Sequence, residues 1–70
     1  MFRIPNPSQS YERVYGRLQD TLHALDAVEH DPACGPGVRE TMARYYRRKV
    51  RAYRATLTRL RRMMEASPNA

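Results

Sequence analysis

No aspartate or glutamate occurs between Tyr45 and Met64, a stretch of twenty residues that carries eight basic side chains. A helix that needs only to be soluble usually interleaves glutamate with its cations for i, i+4 pairing. Apolar runs are missing as well. Nowhere do more than two apolar residues follow one another, which excludes a transmembrane helix and argues against a secretory signal with an apolar core. Tryptophan is absent, and the single cysteine, Cys34, has no partner for an internal disulfide, in keeping with a reducing, cytoplasmic location. Glycine is scarce too: two of the three, Gly35 and Gly37, fall in the short run GPG, which lacks the lysine and hydroxyl of a nucleotide-binding loop and reads as turn chemistry.

What is present is arginine, and it is placed unevenly. Residues 1 to 37 hold three cations and five acids, whereas residues 38 to 70 hold ten cations and two acids, so the halves carry −2 and +8 of the net +6. Charge this one-sided implies an anionic partner and says nothing about fold. Seventy residues make one small domain, and a chain of that size buries too little of its surface to be more than marginally stable alone. Self-association is therefore expected.

The periodicity predicts an all-α antiparallel two-helix hairpin. The opening run MFRIPNP, with two prolines within three positions, makes residues 1 to 6 read as an extended arm. Asn6, with Pro7 at the first helical position and Gln9 three residues on, fits a capping box, Ser8 and Ser10 being the alternative caps. Along this first helix, about 7 to 30, Tyr11, Tyr15, Leu18, Leu22 and Leu25 form one stripe, widened by Val14 and Val28. The segment DPACGPG, 31 to 37, breaks the pattern and connects to a second helix, about 38 to 66, followed by a short tail at 67 to 70. Folding the chain at that connection sets residues whose numbers total about 68 side by side, pairing Glu29 with Arg39, Asp20 with Arg48 and Ile4 with Met64. Phe2 and Ile4 can cover the Leu60, Met63 and Met64 end, on their own subunit or on a neighbour.

With Tyr46 as zero and about 100° per residue, Val50, Tyr53, Leu57, Leu60 and Met64 of the second helix lie within about 40° of it and define its buried stripe. Arg44, Arg47, Arg48, Arg51, Arg54 and Arg62 lie between about 80° and 200°, as one outer face. A second apolar flank near 240° to 280° carries Val38, Tyr45, Ala52, Thr56 and Met63. That is more apolar surface than one partner helix covers, and it predicts a homodimer closing as a four-helix bundle. The expected architecture resembles the small RNA-binding helical-hairpin dimers, with no shared motif.

Guanidinium groups hold phosphate bidentately and stay charged at every relevant pH, so the arginine face predicts nucleic-acid binding with little sequence specificity. The other reading is a protein-interaction module, an adaptor or inhibitor of phage or mobile-element type, docking the same arginines on an acidic protein with Tyr45 and Met63 as interface anchors. An arginine-rich solvated surface in a protein from a GC-rich genome is the plain alternative to both. A membrane surface is the least favoured partner, because each helix has an apolar stripe to offer the other. Tyr46 and Tyr53 belong to the core; Tyr45 is the tyrosine placed for an interface.

His23, His30 and Cys34 are metal-ligand types close in sequence. Zinc needs a fourth ligand, from Asp26 or Asp31, and Pro32 interrupts the geometry, so neither a metal nor a cofactor is expected. His30 instead suits the carbonyl end of the first helix. No nucleophile, base and orienting group come together, and a hairpin this small offers no pocket to hold them, so catalysis is not expected.

Overall fold

A computed structural model describes residues 6–66, and these form two helices packed antiparallel, α1 (Pro7–Glu29) and α2 (Pro36–Glu65). Asn6 caps α1 by accepting the Ser8 N–H at 2.9 Å, with Pro7 at the first helical position, where a missing N–H costs nothing. α2 starts earlier than the sequence implied. Pro36 and Gly37 were expected in the connection, but Pro36 occupies the first turn of the helix in the same role as Pro7, and the connection shortens to residues 30–35. The arm at 1 to 5, with Phe2 and Ile4, the Ile4 to Met64 pairing and the tail at 67 to 70 lie outside the described residues.

The core follows a heptad spacing. Ala43, Val50 and Leu57, seven residues apart, are the buried side chains of α2, and Leu18 inserts between Val50 and Leu57 from α1 with Tyr11, Val14, Leu22 and Tyr53 packed around them. One expectation for α1 is corrected. Tyr15 is not a core residue: it sits at the edge of the seam, about half exposed, and stacks on Tyr11 with ring centroids 6.4 Å apart. Thr21 takes the buried place instead, its hydroxyl satisfied by donation to the Arg17 carbonyl at 2.8 Å.

Register differs as well. Glu29 pairs with Arg47, at 3.8 Å, rather than with Arg39, and Asp20 forms no ion pair among the described residues. α2 is seven residues longer than α1, about 10 Å, and that surplus lies at the connected end, so the last turn of α1 stands level with the third turn of α2 and not its first. Arg39 serves the connection: its Nη2 donates to the Asp31 carbonyl at 2.7 Å and to the Cys34 carbonyl at 3.0 Å. No side chain among the described residues is fully buried, and the particle measures 51 × 23 × 15 Å, a rod two helices wide.

Candidate anion-binding face

α2 presents different chemistry on its two sides because cationic and apolar residues each repeat at intervals of three, four and seven. On one side stand Arg44, Arg47, Arg48, Arg51 and Arg54, all exposed. Four of them, Arg44, Arg47, Arg48 and Arg51, line a shallow surface concavity in which Glu40 is the only acid. Arg44 meets Glu40 at 3.2 Å and Arg47 meets Glu29 at 3.8 Å, but these are exposed pairs of the kind that contribute little and exchange readily for another anion. Arg48, Arg51 and Arg54 engage no carboxylate among the described residues. Arg62 carries none either, but it stands eight residues beyond Arg54, about 12 Å along the helix, apart from the cluster.

The same arginines border a second feature. Leu22 and Leu25 of α1 and Val50 of α2 floor a groove between the helices of about 370 Å³, and Arg47, Arg51 and Arg54 form its rim. The residues brought together here step by seven, Leu22 and Glu29 on α1 with Arg54 and Arg47 on α2, and one further step along each sequence reaches Tyr15 and Arg61. In a two-helix seam such flanking positions ordinarily pair acid with base. Only Glu29 and Arg47 do so. Arg61 turns to Glu65 of its own helix, at 3.4 Å.

The opposite side is apolar. Val38, Met42, Tyr45 and Met63 are exposed there, Val38 and Tyr45 more than half so. The Tyr45 ring stands edge-on to Tyr46 at 5.4 Å and lies under the Lys49 ammonium, 5.1 Å from the ring centre. Tyr45 and Met63 are thus brought to one face, and that face is not the arginine one.

His30 takes the position expected of it at the end of α1. Its Nδ1 lies 2.9 Å from the Asp26 carbonyl oxygen and 3.2 Å from the Asp26 carboxylate. The carbonyl foremost, then the Asp26 and Glu29 charges, hold the imidazole above its ordinary pKa. Among the described residues no three His, Cys, Asp or Glu side chains converge as metal ligands, and His23, His30 and Cys34 do not assemble. No helix among the described residues is long and apolar enough to cross a membrane.

The lining of the groove by Leu22 and Leu25, and the exposure of Tyr15 one heptad before Leu22, are the features that sequence reasoning missed. The signal available was the row Tyr15, Leu22, Glu29 read at a strict interval of seven instead of as part of one broad stripe. Comparison with protein-family models, with curated proteins and with solved structures gave no match.

Proposed function

We propose that this protein is a small accessory or regulatory nucleic-acid-binding module without a catalytic step of its own, and that Arg44, Arg47, Arg48, Arg51 and Arg54 hold phosphates. The observation that carries the reading is the concentration of four guanidinium groups around one concavity, where among the described residues only Arg44 and Arg47 meet acids, Glu40 and Glu29, and both in exposed pairs. Such a site favours a flexible polyanion, since guanidinium forks match phosphate oxygens and each neutralised phosphate releases counterions. Arg62 adds a further contact to a ligand long enough to follow the helix.

The reading includes a homodimer. Two hairpins packed through the Val38, Met42, Tyr45 and Met63 sides would complete a four-helix bundle and leave both arginine faces outward. The support is the separation of the two sides: the apolar one is uncovered in a single hairpin, and the charged one is not needed to cover it.

The test is fluorescence anisotropy with labelled RNA and DNA 20-mers across a salt series. With about five phosphates neutralised, affinity falls on the order of 10² to 10³-fold between 50 and 200 mM salt, and Arg47→Glu with Arg51→Glu flattens that dependence. No affinity for any nucleic acid at 50 mM salt refutes the reading and leaves an acidic protein as the partner of the arginine face.

A further inference from the structure

The flanking row of α1 is unusual in what it sets opposite the arginines. Glu29 answers Arg47 at 3.8 Å, whereas one heptad on, Leu22 shares the groove with Arg54. A further heptad in the same antiparallel register brings Tyr15 level with Arg61. Where the seam could close each arginine with a carboxylate, it offers an aliphatic floor and then an exposed aromatic ring instead. The carboxylates that reach an arginine of α2 are Glu29 with Arg47, Glu40 with Arg44 and Glu65 with Arg61, and none pairs with Arg51 or Arg54 among the described residues.

Resting on the nucleic-acid reading above, we infer that the groove between the two helices takes a single strand, with bases against Leu22, Leu25 and Tyr15 and phosphates on Arg47, Arg51 and Arg54. The chemistry favours this ligand over a duplex for a specific reason. A duplex keeps its bases stacked inside and presents phosphates alone, so it engages the arginine rim and leaves the apolar floor empty. A single strand has a charged edge and flat apolar faces, which match a cationic rim beside an apolar floor. Tyr15 is the residue placed for stacking: about half of it is exposed, and its inner ring face is held parallel to Tyr11 at 14°, which leaves the outer face for a base.

The experiment compares a single-stranded 20-mer with the duplex of the same sequence at 50 mM salt, for the intact protein, Tyr15→Ala and Tyr15→Phe. The expected result is tighter binding of the single strand, a loss of about 5- to 150-fold in that affinity for Tyr15→Ala, retention for Tyr15→Phe, and an unchanged duplex affinity in both variants. Helix content by circular dichroism confirms that the exposed substitution leaves the fold intact, and photocrosslinking from 5-iodouridine is expected to map to the α1 peptide holding Tyr15. Equal binding of strand and duplex, or a strand preference untouched by Tyr15→Ala, overturns this inference while leaving the arginine face as a phosphate binder. Absence of binding to either form overturns both.

Discussion

His30 shows how a single exposed side chain can make the hairpin sensitive to pH. Its imidazolium is favoured in the folded state by the Asp26 carbonyl at the end of α1, then by the Asp26 and Glu29 charges, so its folded pKa lies above the ordinary value of about 6.5. A group raised in this way stabilises the fold fully below its unfolded pKa, and the contribution fades as pH rises through the folded one. Thermal melts of the protein and of His30→Ala should therefore differ more at pH 5.5 than at pH 8.5; an equal difference at both pH values contradicts the assignment. Thr21 and Tyr15 mark the limits of residue-level reading. Threonine counts as polar in a periodicity argument, yet Thr21 is buried because its own helix accepts the hydroxyl proton. Tyr15 counts as apolar, yet it lies outside the seam because the angle at which the helices face each other, which no single residue encodes, decides which edge of the stripe is covered.

At the scale of the element, α2 was largely legible: Val50, Leu57, Tyr46, Tyr53 and Leu60 fall on the covered side, and the arginines from Arg44 to Arg54 fall together on the exposed one. Its start was not, because Pro36 and Gly37 serve equally well as turn residues and as a first helical turn, and only the packed structure chooses. α1 carries a weakness that can be measured. Gly16 stands in the middle of the helix, exposed, with nothing within 4 Å of the position its Cβ would occupy. Gly16→Ala is expected to raise stability by about 1 kcal/mol through the smaller entropy lost on folding, read as a higher urea midpoint with an unchanged m-value. No change in midpoint would mean that α1 owes its helicity wholly to packing.

For the molecule as a whole, the division into an arginine side and an apolar side is the property that matters. A hairpin whose best-covered residues are Ala43 at 4 %, Leu18 at 6 % and Val50 at 7 % has a thin core, and exposed Val38, Met42, Tyr45 and Met63 give a second copy something to bury. Sedimentation equilibrium is expected to return twice the chain mass of 8.2 kDa, and Tyr45→Glu with Met63→Glu to return the monomer mass at a lower melting temperature. A monomer at high micromolar concentration contradicts the bundle. In the arrangement proposed above the dimer and the nucleic-acid interface use different sides, so the charge reversals at Arg47 and Arg51 should leave the mass unchanged.

The six residues 30–35 have a task beyond reversing the chain: they must climb past the seven-residue surplus of α2, about 10 Å, with Arg39 fastening them to the helix as they go. Fully extended, six residues would reach about 22 Å at about 3.6 Å each, but the segment is wound into turns, with the Cys34 N–H on the Asp31 carbonyl at 3.2 Å and the Ala33 N–H on the Asp31 carboxylate at 2.9 Å, and these take up the spare length. The connection thereby acts as a ruler. Shortening it by a few residues would drag one helix along the other by up to a turn, and the leucines and tyrosine of the first helix would come to rest opposite different arginines.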